Sequence, residues 1–182
     1  MVRLFDFFFS LIGIFLLLPI YLLVSVVLFF DTGSPIFIQK RMGINKKPFN
    51  LYKFRTMHLD TKQAASHLVD SSSITKIGFV LRRIKLDELP QLFNVFFGDM
   101  SLVGPRPNLF DQEELIQYRT KFDVYSIKPG ITGLAQISNI DMSKPELLAT
   151  YDQKMLNNLN LRSYFYYIFK TITGSGKGDA VK

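Results

Sequence analysis

The stretch FFFSLIGIFLLLPIYLLVSVVLFF, residues 7–30, carries no charged side chain and has one proline, Pro19, near its middle. As a straight helix rising about 1.5 Å per residue it would reach roughly 36 Å, enough to cross a hydrocarbon core of about 30 Å. A secretory signal is a poorer fit, because the apolar run is long and no small-residue cleavage pattern follows it. A helix buried in a soluble core is not usually apolar all round over this length. Pro19 removes a backbone hydrogen bond and crowds the preceding turn, so a bend is expected there. Arg3 precedes the run, and Lys40, Arg41, Lys46, Lys47 and Lys53 follow it. Positive charge on both flanks favours keeping both ends on the cytoplasmic side, as a kinked hairpin in one leaflet would. A kinked single span, with the few N-terminal residues outside, remains the alternative on these residues alone. Asp6, at the mouth of the run, is expected to pair with an arginine or a backbone donor.

Outward from this segment the charge is uneven. The 182-residue chain has a formal net charge of +7. Eleven Lys or Arg stand against two acids over residues 40–85, and seven acids against three basic residues over 86–123. A basic block directly after an apolar segment points to an anionic membrane surface, with an anionic substrate, nucleic acid or a solvated face as rivals. No nucleic-acid motif accompanies it, so nucleic acid is not expected as a partner. There is no cysteine and there are only two histidines, His58 and His67, which excludes thiolate metal sites and leaves too few nitrogens for a usual zinc site. A hard cation such as Mg²⁺, held by carboxylate and substrate phosphate, fits this composition better.

The rest of the chain reads as α+β, mostly helical with a small β-hairpin. PIFIQK and FNLYKFRTM are strand-like and flank a turn, RMGINKKP. Ser72 or Ser73 is expected to cap a helix carrying Ile77, Val80, Leu81 and Ile84 on one face. A second helix is expected with Asp87 as its N-cap, Leu89, Leu92, Phe93 and Phe96 on one face, and Gly98 as its stop. Another starts near Asp111, KPGITG reads as a glycine-bearing loop, and SKPE at residues 143–146 has a capping-box pattern. LRSYFYYIFKTI is an aromatic helix suited either to a membrane surface or to the core. TGSGKGD near the C-terminus lacks the spacing of a phosphate-binding loop. These readings divide the chain into a membrane hairpin over residues 1–35, a catalytic domain over 36–175 and a flexible tail over 176–182.

Chemistry concentrates in KLDELPQLFNVFFGDMSLVGPRP, residues 85–107. Asp87 and Glu88 are adjacent, so on a helix they point in different directions and have separate jobs. Arg106 lies between two prolines that restrict its backbone, which lowers the entropy cost of presenting its guanidinium fork. A nucleophilic carboxylate, a carboxylate for Mg²⁺ and arginine clamps (Arg82, Arg83 and Arg106) together make a phosphoryl-transfer site. A membrane-anchored binding module would explain the anchor but not these residues.

LDELPQLFNVFFGDMSLVGPRP, with YKFRTM and KPGITGLAQIS, resembles the bacterial sugar transferase family of small monotopic polyprenyl-phosphate phosphoglycosyl transferases. The resemblance runs from about residue 3 to 172 and implies a minimal catalytic unit on the cytosolic face of the bacterial inner membrane. It implies transfer of a sugar 1-phosphate from a UDP-sugar to a polyprenyl (undecaprenyl) phosphate, with release of UMP, at the start of glycoconjugate assembly. Asp87 is then the nucleophile, forming a covalent phosphosugar intermediate, and Glu88 is associated with Mg²⁺. The first segment becomes a re-entrant helix broken at Pro19, with amphipathic helices on the membrane surface. The matched motifs supply Lys53, Arg55, Arg82, Arg106, Lys128, Thr132, Gln136 and Asp141 as expected substrate contacts. Two departures stand out. Lys128 replaces an arginine that many members have, losing the bidentate fork, and Ser138-Asn139-Ile140 replaces an Asn-Gly-Arg run. The second points to a different sugar. Membrane lipids are the remaining expected partner, and a second copy of the chain is kept open as one.

Overall fold

The computed structural model describes residues 2–61 and 71–174. The expected flexible tail and the last five residues of TGSGKGD lie outside the described residues, as does the polar stretch over 62–70 that includes His67. The first element, α1, is the 31-residue helix Val2–Thr32, which runs on through Pro19 in place of the expected break there. Its buried residues are Asp6, Ser10, Tyr21, Val24, Leu28 and Thr32, whose spacings each come close to a whole number of turns and so mark a seam along one side. Most of the rest of it is apolar and open or half-open: Phe15, Leu16, Leu22, Leu23 and Phe30 are all more than 60% exposed. Only 17% of its most apolar window is buried, far too little for the core helix of a water-soluble domain.

The seam packs along the folded unit from one end of the helix to the other. Val2 and Phe5 meet a cluster around Val103, Met155, Tyr164 and Tyr167. Tyr21, Val24 and Leu28 join Phe54 and Leu81, with Leu86, Leu89 and Phe93 packed against them. Asp6 is buried, and one of its oxygens accepts from the Leu102 amide at 2.9 Å, the Ser101 hydroxyl at 3.1 Å and the Tyr164 hydroxyl at 2.8 Å. The expected backbone donor is there, joined by two hydroxyls.

The expected hairpin is present as β1 (Ile36–Met42) and β2 (Pro48–Phe54), antiparallel, with Lys40 opposite Asn50. Helix α2 (Lys76–Arg83) follows; its cap is Thr75, which accepts from the Gly78 amide, and not Ser72 or Ser73. Over two turns α2 buries only one stripe, so Val80 and Ile84 of its expected apolar face are exposed. Helix α3 (Gln91–Phe97) lies between α1 and the hairpin. Its Leu92 and Phe93 side faces α1 and its Asn94 side faces β2. Gly98 ends it in the left-handed region, at φ 93°, as a helix-terminating glycine should.

A second sheet was not legible. Strand β3 (Ser101–Val103) pairs in parallel with β4 (Gly130–Thr132), so part of the expected KPGITG loop is a strand. Gly104 and Gly130 let the two backbones touch: a Cβ on Gly104 would lie 2.4 Å from the Lys128 carbonyl oxygen, and one on Gly130 would lie 2.0 Å from the Gly104 nitrogen. Helix α4 (Glu113–Lys121) starts two residues beyond Asp111. After the short α5 (Leu134–Ile137), α6 (Pro145–Asn157) begins with its proline in the first turn. No capping box forms at Ser143, whose hydroxyl turns to Asp141 instead. A capping box does open α7 (Leu161–Ile172), between Asn160 and Ser163. On α7, Tyr164 and Tyr167 face the core, while Phe165, Tyr166, Phe169 and Ile172 are exposed. The core reading of that helix holds for its Tyr164 and Tyr167 face, and its opposite aromatic face is left open.

Candidate active site

Asp87 does not cap a helix. Lys85 adopts a left-handed conformation, φ 60°, and turns the chain out of α2 into a 3-10 turn, Leu86–Glu88. Pro90 then opens α3, its missing N–H costing nothing at that position. The two carboxylates therefore sit on a tight turn between two helices. Asp87 is buried, and the Glu88 side chain is 15% exposed.

Two distant segments meet at this turn. Glu88 Oε1 accepts from Arg106 at 2.8 Å and from Lys53 at 3.1 Å. Lys53 comes from β2, and Arg106 from the GPRP loop after β3. Asn94, fully buried on α3, sets the first of these: its amide donates to the Asn50 carbonyl at 2.7 Å and accepts from the Tyr52 amide at 3.0 Å. That pair of bonds locks β2 to α3 just where Lys53 must reach Glu88. The Lys85 amine faces the same cluster. Burial lowers its pKa below the ordinary lysine value, with Glu88 opposing the shift and Arg106 adding to it.

The other expected contacts divide. Arg82 donates to the Thr56 hydroxyl at 2.8 Å, and Arg55 donates to the Ser34 carbonyl at 3.1 Å while its guanidinium lies over the Phe37 ring. Both brace the hairpin base beside the exit of α1. Gln136 donates to the Gly104 carbonyl at 3.4 Å, at the root of the GPRP loop, and its buried Oε1 has no partner among the described residues. Thr132 instead bonds Thr171 on α7, and the Lys128 ammonium lies beside Gly98 and Arg3, at the opposite end of α3 from Glu88. Asp141 is exposed and accepts from the Ser143 amide in a turn of its own.

Several site residues gave no signal in the sequence. Lys85 reads there as one more basic residue before the acidic pair. The Tyr21 hydroxyl donates to the Leu89 carbonyl at 2.6 Å, tying the middle of α1 to the carboxylate turn. Arg119 and Asp152 form a buried ion pair at 2.7 Å, although in sequence each sits on what looks like a solvated helix face.

Among the described residues no group of three or more His, Cys, Asp or Glu could hold a metal ion. The donors at the turn are two adjacent carboxylates, hard oxygen ligands. They fit a Mg²⁺ that takes one or two carboxylates and completes its shell with substrate phosphate and water.

The family profile described as Bacterial sugar transferase matches residues 1–177. The chain belongs to the bacterial sugar transferase family. Within the family it is similar to the exopolysaccharide production protein ExoY of Sinorhizobium fredii, at 35% identity over 188 aligned positions that cover 93% of this chain and 83% of that protein. It is 32% identical over 171 residues to the UDP-N-acetylgalactosamine-undecaprenyl-phosphate N-acetylgalactosaminephosphotransferase of Aeromonas hydrophila, covering 90% of this chain and 40% of the other. It is 49% identical over 107 residues to the sugar transferase EpsL of Bacillus subtilis, 58% of this chain and 52% of EpsL. The chain thus spans about half of EpsL and less than half of the Aeromonas protein.

Proposed function

We propose that this sugar transferase moves a sugar 1-phosphate from a UDP-sugar to a polyprenyl phosphate at the cytosolic face of the bacterial cytoplasmic membrane, releasing UMP and starting glycoconjugate assembly. The observation that carries the reading is the carboxylate turn, where Lys53 and Arg106 converge on Glu88 beside the buried Asp87. A diphosphate approaching a carboxylate nucleophile is repelled by it, and these cations, with Lys85 behind them, offset that repulsion. An Asp87 oxygen attacks the β-phosphorus, the bond from phosphorus to the bridging oxygen breaks, and UMP leaves with the electron pair. The phosphosugar is then held on Asp87 as an acyl phosphate. A phosphate oxygen of the lipid attacks the same phosphorus and returns Asp87 as a carboxylate. Glu88 would hold Mg²⁺, which neutralises charge on the diphosphate when bound.

The lipid substrate requires the site to stand at the headgroup level. We read α1 as a re-entrant helix with both ends on the cytosolic face. Two observations support this: Asp6 near its start and Leu28 near its end are both buried against the same folded unit, and both flanks are basic. The exposed aromatic face of α7 gives a further contact with the bilayer surface.

The test is to incubate purified protein with a panel of UDP-sugars, with and without undecaprenyl phosphate. Sustained UMP release should require the lipid. Without lipid, intact-mass analysis should find one phosphosugar on the protein, mapping to Asp87. Failure of every UDP-sugar to yield UMP would overturn the reaction, and an adduct on another residue would overturn the nucleophile.

A further inference from the structure

We propose that Arg119 and Asp152 are positioning residues for this reaction: the pair holds the backbone of Arg106 so that its guanidinium stays on Glu88. The inference rests on the transferase reading above and adds to it two residues that touch neither carboxylate of the turn.

Arg119 on α4 is 1% exposed and Asp152 on α6 is also 1% exposed. The Arg119 Nε and one terminal nitrogen donate to the same Asp152 oxygen, at 3.0 and 2.7 Å. The other terminal nitrogen reaches away from Asp152 and donates at 2.8 Å to the Arg106 carbonyl and at 2.9 Å to the Asn108 side-chain oxygen. One planar cation therefore spans three segments, which a lysine ammonium on the same stem cannot reproduce. The loop is also gripped from its other side. Arg41 donates to the Pro107 carbonyl at 3.2 Å, the Met42 amide to the Asn108 carbonyl at 3.0 Å, and the Tyr125 hydroxyl to the Asn108 side-chain oxygen at 3.0 Å. Residues 106, 107 and 108 each have a fixed backbone or side-chain contact, and Arg106 is the only one of the three whose side chain goes to the carboxylate turn.

A brace between α4 and α6 alone would not need this arrangement. Apolar residues of similar volume would join the two helices at least as well, because a buried ion pair recovers little more than its desolvation cost. Here the second Asp152 oxygen is buried with no hydrogen-bond partner among the described residues, which makes the pair a costly brace. What an apolar pair cannot supply is the donor to the Arg106 carbonyl. Displacing a transition-state contact by about 1 Å can lower turnover about 100-fold, so a clamp on that carbonyl has a kinetic consequence that a brace does not.

The experiment is a double-mutant cycle between Arg119 and Arg106. Arg119→Lys should lower kcat about 10- to 100-fold with a smaller change in KM. In an Arg106→Ala background the same change should cost less than about threefold, since the contact it serves is already gone. A full multiplicative loss in that background would overturn the proposal. The double variant Arg119→Met/Asp152→Leu keeps the helices joined by apolar packing. It should recover thermal stability relative to Arg119→Met without recovering kcat, and a recovery of both together would reduce the pair to a brace. A third reading is independent of turnover. Hydrogen exchange at the Met42 amide should quicken in Arg119→Lys while the amides inside the β1–β2 ladder keep their rates; unchanged Met42 exchange would overturn the clamp even if the transferase reaction stands. Should every UDP-sugar fail, that exchange measurement still decides whether the clamp exists.

Discussion

Asp6→Ala tests the packing on which the membrane geometry depends. Asp6 is 2% exposed, and a single oxygen of it receives the Ser101 hydroxyl, the Leu102 amide and the Tyr164 hydroxyl. Burial, followed by the bond to Asp6 and its charge, pushes the Tyr164 hydroxyl far above its ordinary range, so it remains a donor at any working pH. Each buried donor left without a partner costs about 1–3 kcal/mol, and three on one acceptor do not add fully. A total of about 3–5 kcal/mol is therefore expected for Asp6→Ala. For a chain of this size each kcal/mol lowers the midpoint by roughly 2–4 °C, so Tm should fall by about 10 °C. Asp6→Asn keeps an acceptor oxygen for all three donors and should lose about a third of that. Phe8→Ala, on the open face of α1, is the control and should leave the folded unit's melting nearly unchanged. The assay is thermal unfolding in detergent or nanodiscs, followed by near-UV signal from the tyrosines. If Asp6→Ala melts within about 1 °C of the parent, the start of α1 does not dock on the domain, and the argument for a shallow helix fails with it.

Asp87→Asn should abolish UMP release and adduct formation while melting like the parent, because an amide of the same shape is a far poorer nucleophile; substantial UMP release by the folded variant would refute the assignment. Glu88→Gln should raise the Mg²⁺ needed for half-maximal rate and chelation should silence the parent enzyme, whereas full activity in excess chelator would remove the metal. Gly104→Ala should destabilise the β3–β4 pairing and cost at least about 2 kcal/mol, since its Cβ would meet the Lys128 carbonyl oxygen at 2.4 Å; a parent-like Tm would contradict that close approach. Val2→Cys in this cysteine-free chain should resist an impermeant thiol reagent in intact cells and react once the membrane is opened; labelling from outside would favour a crossing helix.

Elements with local signals were legible in the sequence. The hairpin, the glycine stop of α3, the proline-started α6 and the aromatic α7 follow from turn chemistry and apolar spacing, which act over a few residues. The meeting of Arg106 with the acidic pair was legible because adjacent acids and a proline-flanked arginine stand out in a short stretch. What escaped depends on contacts distant in the chain. Asp87 looked like a cap because Asp before an apolar run commonly is one, yet the left-handed Lys85 makes a separate turn there. Strand β4 has three residues, and its partner lies about 30 positions earlier, so no local pattern announces it. Arg119 and Asp152 are 33 residues apart, and either alone reads as a surface charge. The seam of α1 was hidden for another reason. Lipid and protein core both select apolar side chains, so an all-apolar helix does not record which face meets which.

The position of Tyr21 on that seam bears most directly on the proposed membrane geometry. Tyr21 stands close to the middle of the uncharged run, and its hydroxyl bonds the Leu89 carbonyl. Leu89 is two residues from Asp87, so their Cα atoms are at most about 7.6 Å apart. In a helix crossing the bilayer straight, the middle of the run would lie near the midplane, about 15 Å below either headgroup layer. The turn would be carried down with it, and so would Lys53, Glu88 and Arg106, whose charges are costly in hydrocarbon. A polyprenyl phosphate, the proposed acceptor, would keep its phosphate at the surface, beyond reach of a turn held there. If α1 instead lies shallow in one leaflet, the apolar face opposite the seam meets acyl chains, and under the proposed reaction Asp87 stands near the headgroup level. The hydrogen bond from Tyr21 to Leu89 thus counts against a straight crossing, independently of the charges at the flanks of α1.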